Sequence, residues 1–468
     1  MKYKRRSDGT LAVAREETDS TLMSAHLTRL PYVRTNGVVG VVEEPTTWPA
    51  PPGIHPMAHQ VETSDFLVLN PRALVLDDTG TGKTYSVAWS IWRLWKMGLV
   101  KKVGIVSPKS TLYTVWERTI SGVFLSDVTI GVKDLNCEVV IGNIDWWKTV
   151  KASTCDLYVI DEATVVKNTT TQRWRALYKL TKDKMLWLLT ATPMSQGPMD
   201  AHGLARMLRT TEEGKGAWKA KTMYQVSRFK WLPRIDVEKV VYPYLTPAIR
   251  HTKGDCLDLP PITYTEREVE LTGDQKRILA ELKSEFRTMV AGGVVTAAHE
   301  AALRIKFLQI LSGMVYGEDG VHYIENHRMD EITSILDETA EPVLVFTIFK
   351  GLTSFIPKEY AYGVITGDTH EKERRTLIDR FQEGDLKVLY CHPLTVGHGV
   401  TLTKGATVIW ANPPDSAELF YQGNSRLHRK GQEKPVSVLQ LISHPLERVI
   451  FQRLKSMETL QGVLLDLF

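Results

Sequence analysis

Asp77-Asp78-Thr79-Gly80-Thr81-Gly82-Lys83-Thr84 follows a short apolar run that begins at Leu74 and leads into a helical pattern. Gly80 and Gly82 let the backbone curl so that its N–H groups face phosphate oxygens at a helix N-terminus. In such a loop Lys83 reaches the β- and γ-phosphates, and the Thr84 hydroxyl ligates magnesium. The leading glycine of the general phosphate-loop pattern is absent, and Asp77 stands in its place. A strand before the loop and a helix after it are the context this chemistry needs, and they set the fold class as α/β.

Outward from the loop, two stretches share one grammar of short β-branched runs, each followed by a turn and a helical pattern. The first set is Leu74–Asp77, Val103–Ser107, Glu138–Ile141, Leu157–Ile160 and Leu186–Thr190. The second is Val343–Thr347, Tyr362–Thr366, Lys387–Tyr390, Thr407–Trp410 and Val436–Ile442. Apolar strands that alternate with helices imply parallel sheets covered on both faces. The reading is therefore two tandem parallel-sheet lobes, 46–248 and 328–445, with a mostly helical insertion at 249–327. Leu279, Leu282, Phe286 and Met289 give that insertion an amphipathic helix. A C-terminal packing helix is expected over 446–468, from Ile450, Leu454, Met457, Leu464 and Leu467. Residues 1–45 show no periodicity and have no assigned role, and the Pro-rich stretch Glu44–Pro56 reads as a linker.

Composition bounds the function classes. With 43% hydrophobic and 24% charged residues over 468 positions, the chain is globular and long enough for two or three domains. No run approaches the roughly 20 apolar residues that span a bilayer, and no apolar core follows the basic start, so neither a membrane span nor a secretory signal is expected. Cys137, Cys155, Cys256 and Cys391 lie far apart, which favours buried, reduced thiols in a cytoplasmic setting. The 13 histidines form no HxxxH arrangement, so zinc is not expected. Net charge of +4 says little about nucleic acid, but Gly214–Arg234 carries six basic residues, no acidic one, and interleaved Trp218, Tyr224, Phe229 and Trp231. That pattern fits either a solvated basic face with anchored aromatics or a surface that tracks phosphates. Trp89, Trp92 and Trp95, at threefold spacing after the loop, read as helix core.

Two further pieces complete a nucleotide site. Leu157–Ile160 runs straight into Asp161-Glu162-Ala163-Thr164. There Asp161 suits the metal and Glu162 suits the orientation and deprotonation of an attacking water. Between Gln422 and Gln432, Arg426 and Arg429 are three apart, which on a helix places them on one face, suited to act as arginine fingers.

Taken in order from His59 to Val463, these pieces resemble the Swi/Snf subfamily of the superfamily 2 helicase-like ATPases, in a compact prokaryotic or bacteriophage form. His59-Gln60 resembles the glutamine motif that reads adenine; Leu76–Thr84 resembles LADEMGLGKT, whose form lacks the leading glycine. Ser107–Ser110 with Trp116-Glu117 resembles motif Ia, Asp161–Asn168 resembles DEAHRIKN, and Leu189–Pro193 resembles motif III. Ile249-Arg250-His251 and Leu259-Pro260 are similar to the stretch before lobe two. Val345-Phe346 and Ile365–Asp368 are similar to its start, Gly397–Thr403 to GGxGLNLT, and Gln422–Gln432 to QxxxRxxRxGQ. Thr164 and Thr401 replace a histidine and an asparagine of the family, and Ser195-Gln196 replaces a Gln-Asn pair.

The resemblance implies two RecA-like lobes that bind ATP and Mg2+. Gln60, Thr79, Gly80, Thr81, Gly82, Lys83, Thr84, Gly397 and Gly399 would contact the nucleotide, with Lys83, Glu162, Arg426 and Arg429 catalytic, and Thr84, Asp161 and Glu162 on the metal. Lys109, Ser110, Gly142, Asn143, Lys350, Thr366, Gly367 and Thr403 stand at the family's strand-contact positions. The implied activity is translocation along double-stranded DNA. Strand separation or annealing at forked or single-stranded DNA, and a nucleotide-gated binder without turnover, are the alternatives.

Overall fold

Uninterrupted apolar runs become strands buried on both faces, and this rule builds both sheets. The computed structural model describes residues 2–5, 11–14, 38–42, 45–152, 154–226, 231–291, 297–396 and 400–465. The chain divides into one unit of Met1–Leu257 with Met457–Phe468 and a second of Asp258–Ser456.

In the first unit the strands are β1 (Arg72–Val75), β2 (Val103–Val106), β3 (Ile130–Val132), β4 (Val139–Gly142), β5 (Leu157–Ile160), β6 (Met185–Leu189) and β7 (Ala248–Ile249). They form one seven-stranded sheet in the order β7-β1-β6-β5-β2-β4-β3. Every pairing is parallel. All residues of β2, β4, β5 and β6 are buried. One face packs on Phe66, Leu67, Trp89 and Trp116, the other on Leu177, Leu204 and Trp218. The tryptophan stripe is core, as expected. Trp89 is fully buried and its indole N–H donates to Pro49 O at 2.8 Å, while Trp92 and Trp95 pack against the same cluster. The sequence reading lacked β3 and β7, which are only three and two residues long.

The second unit has β8 (Ile262–Glu268), β9 (Val343–Phe346), β10 (Tyr362–Ile365), β11 (Val388–Cys391), β12 (Thr407–Trp410) and β13 (Val436–Ile442). Its six-stranded sheet runs β8-β13-β12-β9-β11-β10, again parallel throughout. β8 lies within 249–327, the stretch read as mostly helical. It is an edge strand exposed along most of its length and rich in charge, so no buried apolar run announces it. The helices Gly273–Ala291 and Ala297–Leu311 follow, then an antiparallel hairpin, Met314–Gly317 with Gly320–Tyr323. Near the N-terminus, three antiparallel strands occur at Lys2–Arg5, Leu11–Ala14 and Val38–Val42, where no periodicity was legible. Cys155 and Cys391 are buried as expected, whereas Cys137 and Cys256 are only partly so.

The second unit is pinned by a buried charge. Arg328 is fully enclosed and donates to Leu311 O at 3.2 Å, to Ser443 Oγ at 2.7 Å, and to both oxygens of the equally buried Glu447 at 2.9 and 3.1 Å. It thereby joins the helix Arg328–Glu338 to the start of the last helix, Pro445–Leu465. Removing one partner of such a pair strands the other charge, at a cost of about 3–5 kcal/mol. Glu447→Ala is expected to lower the denaturant midpoint of this unit accordingly; an unchanged midpoint would mean that Arg328 does not depend on Glu447.

Candidate nucleotide site

β1, β6 and β5 are consecutive in the first sheet and parallel, so their carboxyl ends share one edge. Open parallel sheets bind ligands at that edge. Here it carries the loop Asp77–Gly82, then Thr190–Pro193, then Asp161-Glu162.

The loop's shape is fixed by two left-handed glycines, Gly80 at φ +90° and Gly82 at φ +88°. A Cβ on Gly82 would lie 2.1 Å from Gln60 Nε2, so a side chain there would displace that amide as well as strain the left-handed backbone. Gln60 donates from Nε2 to Thr81 O at 3.2 Å and Gly82 O at 3.4 Å, and its Oε1 accepts from Met57 N–H at 3.0 Å. His59 Nε2 lies 2.8 Å from Thr81 O. The structure thus places the Gln60 amide against the loop, where it braces the carbonyls. Lys83 opens the helix α1 (Lys83–Lys96), and its ammonium donates to Asp77 O at 2.6 Å and Asp78 O at 2.9 Å. Thr81 Oγ1 donates to Asp78 O at 2.9 Å, and Thr79 Oγ1 is a buried hydroxyl with no partner among the described residues. An orphaned donor, a cation and a curled backbone at a helix N-terminus fit a phosphate ligand.

The carboxylates are held with equal care. Trp116, fully buried, donates its indole N–H to Asp161 Oδ2 at 2.8 Å. The other oxygen, Oδ1, accepts from Glu162 N–H at 3.0 Å. Trp116 sits on a π-helical turn, Leu112–Glu117, a conformation frequent at functional sites. Glu162 adopts φ +50°, a left-handed backbone that costs a side-chain-bearing residue about 1–2 kcal/mol and is kept where surroundings impose it. Thr84 is half-buried in the first turn of α1. A hydroxyl with two carboxylates is a hard oxygen set suited to magnesium.

A residue that carried no assigned role in the sequence lies behind the loop. His251 follows β7 and donates its backbone N–H to Asp77 Oδ1 at 2.8 Å, with Nδ1 3.0 Å from the same oxygen. Its Nε2 is 3.2 Å from Glu62 Oε2, and Thr63 Oγ1 lies 3.4 Å from Asp77 Oδ2. Burial works to lower the imidazole pKa, but the hydrogen bonds and charges of Asp77 and Glu62 outweigh it and hold it up at about 9. The His59 ring stands 5.5 Å away between centroids, and Asp255 contributes to the local field.

In the second unit, the helix α2 (Ala417–Asn424) stops before the arginines, which lie in the turns that follow and not on a helical face. They converge all the same: Arg426 Nη1 reaches Val400 O at 3.4 Å and Arg429 Nη1 reaches it at 2.7 Å. Burial lowers the Arg429 pKa. Gln432, also buried, holds this turn by donating to Gly405 O at 2.8 Å and Thr403 O at 3.2 Å. Gly397 and Gly399 lie outside the described residues.

Of the strand-contact positions, Lys109 is exposed and Ser110 half-buried just after β2, while Gly142 and Asn143 are buried at the end of β4. A Cβ on Gly142 would meet Trp146 at 2.4 Å, so packing alone requires that glycine. In the second unit, Lys350, Thr366 and Gly367 line one cavity of about 250 Å³, together with Asp368 and His392. There Lys350 pairs with Asp368 at 2.5 Å; both side chains are exposed. Thr403 lies apart from that lining and accepts from Gln382 Nε2 at 3.5 Å. The basic stretch is divided in its roles. Trp218 is core, Lys221 is tied to Glu213 and Tyr244, and Lys219 caps the Trp231 ring at 3.9 Å. Arg228, Phe229 and Lys230 lie outside the described residues.

A phosphate loop and a strand-end carboxylate pair on one parallel sheet, in a chain that also has a second α/β unit, fit a helicase-type nucleoside-triphosphate hydrolase. Comparison with known families narrows this. Residues 137–314 match the SNF2-related domain, 327–431 the helicase conserved C-terminal domain, and 55–195 the type III restriction enzyme res subunit. The chain thus carries an SNF2-related domain and a helicase C-terminal domain, and these matches support an SNF2-like, ATP-dependent helicase-type hydrolase. Protein p41 of Acyrthosiphon pisum secondary endosymbiont phage 1 is 24% identical over 440 residues, covering 84% of this chain and 94% of its own. The ATP-dependent helicase YqhH of Bacillus subtilis is 22% identical over 460 residues, covering 89% of this chain and 81% of its own. Among solved structures, the Sulfolobus solfataricus SWI2/SNF2 ATPase core in complex with dsDNA has a TM-score of 0.41 at 21% identity, over 90% of this chain and 96% of that one. No helix among the described residues is long and apolar enough to cross a membrane.

Two predictions follow from this geometry. Trp116→Phe removes one hydrogen bond from Asp161 and is expected to raise the magnesium concentration needed for tight nucleotide binding by about tenfold; unaltered magnesium dependence would remove Trp116 from the site. The raised His251 pKa makes a contribution to stability that is complete below the ordinary value of 6.5 and lost as pH climbs through about 9. It is on the order of 3 kcal/mol. The thermal-unfolding advantage of wild type over His251→Gln should therefore shrink between those pH values, and a constant advantage would contradict a charged His251.

Proposed function

We propose that the chain is a motor that hydrolyses ATP, with magnesium, to move along double-stranded DNA in the cytoplasm of a prokaryotic cell or phage-infected host. The observation that carries this reading is the loop holding Lys83 on the same sheet edge as the braced carboxylate of Asp161. Thr84, Asp161 and Glu162 would hold magnesium, partly through water, and its positive charge would offset the charge on the phosphates. Lys83 exchanges the carbonyls of Asp77 and Asp78 for phosphate oxygens, while the loop N–H groups from Thr79 to Gly82 take the others. The Glu162 carboxylate orients the attacking water and accepts its proton. Arg426 and Arg429 carry the finger role, giving up Val400 O for the terminal phosphate.

Lys109, Ser110, Gly142 and Asn143 in the first unit, with Lys350, Thr366, Gly367 and Thr403 in the second, are assigned to DNA. They offer cations, hydroxyls and amides near strand ends, the chemistry that grips phosphate without reading bases. Kinship with SNF2-related proteins supports duplex as the track.

One observation favours strand separation as a second reading. In the hairpin Met223–Gln225 with Trp231–Pro233, Tyr224 and Leu232 are cross-strand neighbours, and both are exposed with Val226 close by. An apolar face of this kind suits unpaired bases.

Steady-state ATP hydrolysis tests the proposal. Blunt duplex should stimulate turnover strongly, and Lys83→Ala and Glu162→Gln should each abolish it, the latter still binding ATP because the loop is untouched. Turnover stimulated only by forks or single strands would favour the second reading. Normal hydrolysis by either variant would overturn the site.

A further inference from the structure

His251 stands where the phosphate loop meets the chain segment that leaves the first unit. After β7, which is only Ala248–Ile249, the backbone runs alongside the start of the loop. His251 N–H donates to Asp77 Oδ1 at 2.8 Å, Asp78 N–H donates to His251 O at 3.0 Å, and Lys253 N–H donates to Asp78 Oδ2 at 3.0 Å. The second unit begins at Asp258, so this clamp lies a few residues before the chain passes on. Asp77 and Asp78 also supply the two carbonyls that hold the Lys83 ammonium. One pair of residues therefore faces both ways, side chains toward the exit segment and carbonyls toward the phosphate-binding lysine.

A glycine at position 77, as in the general loop pattern, has no side chain with which to make this link. Asp77 is fully buried, and a buried carboxylate needs a paired charge. His251 provides it while reaching Glu62, which lies on the helix Ala58–Leu69 that also carries His59 and Gln60. The clamp and the Gln60 brace thus hold the loop from two sides through one helix.

We propose that His251 is a positioning residue for nucleotide binding: wedged between Asp77 and Glu62, it sets where the Asp77 and Asp78 carbonyls hold Lys83, and it fastens the loop to the segment leaving the first unit. The proposal rests on the assignment of ATP to this loop. Its consequence is that a change at the loop on binding ATP is felt first at residues 250–253.

The test is the affinity of the full chain for a fluorescent N-methylanthraniloyl-ATP, with KM and kcat measured beside it. His251→Ala should weaken binding about tenfold, the size expected for loss of a charged hydrogen bond. The loss should fall on KM more than on kcat. His251→Arg can donate to both carboxylates and should restore affinity to within about threefold of wild type. Glu62→Gln, at a side chain 40% exposed, should give a smaller loss with the fold kept, and it carries the test if His251→Ala fails to fold. Wild-type affinity in His251→Ala, or in Glu62→Gln where that variant stands alone, overturns the proposal. So does a loss in His251→Ala that arginine does not restore, because that would show ring shape and not the charged link at work. Failure of the wild type to bind the analogue overturns the ATP reading itself.

Discussion

A phosphate loop must leave its backbone N–H groups free for a ligand, so it cannot be held in shape by its own hydrogen bonds. In this protein the shape is imposed from outside. Gln60 and His59 grip the carbonyls of Thr81 and Gly82 from one side. From the other, His251 fixes Asp77 while the backbone of Lys253 fixes Asp78. With the carbonyls of Asp77, Asp78, Thr81 and Gly82 also engaged, the backbone is held in the curl that suits an anion. Glycine at position 82 suits the same arrangement, since its backbone is left-handed and the Gln60 amide occupies the space where a Cβ would be.

The second unit uses buried polar side chains for the same purpose. Gln432 spends its amide on the carbonyls of Thr403 and Gly405 and so holds the turn that presents Arg426 and Arg429. Arg429 donates to Val400 O, and Arg426 to Val400 O and Gln422 O. A carbonyl is more easily given up for a phosphate than a carboxylate would be. Arg328 shows the contrasting case. Its carboxylate partner Glu447 is as buried as itself, and the pair serves as a fastening between helices with no access to a ligand.

Ten strands were legible, most of them because strands inside a parallel sheet are covered on both faces and so read as unbroken apolar runs. β8 was illegible for the converse reason: an exposed edge strand carries Thr, Glu and Arg, and its register depends on β13 lying beside it. The candidate nucleotide residues were legible because phosphate chemistry demands particular residue types at fixed spacing. The arginines were identified by that spacing, yet the helix on which they were placed ends at Asn424. Trp116 and His251 gave weaker signals. Each appeared as part of a resembling motif, but nothing in a linear chain says that an indole meets a carboxylate 45 residues later or that an imidazole meets one 174 residues earlier.

By itself the sequence determined the alternation of strand and helix, the two-sheet architecture, and the residue types of a phosphate site, because burial and phosphate chemistry both act on local patterns. Tertiary structure alone decided which residues hold those groups in place. It turned Gln60 toward the loop, brought Trp116 to Asp161, and set His251 between Asp77 and Glu62. The physical reason is that a buried polar group takes whichever complementary partner the packed fold brings within about 3 Å. That distance is fixed by how strands far apart in sequence lie side by side.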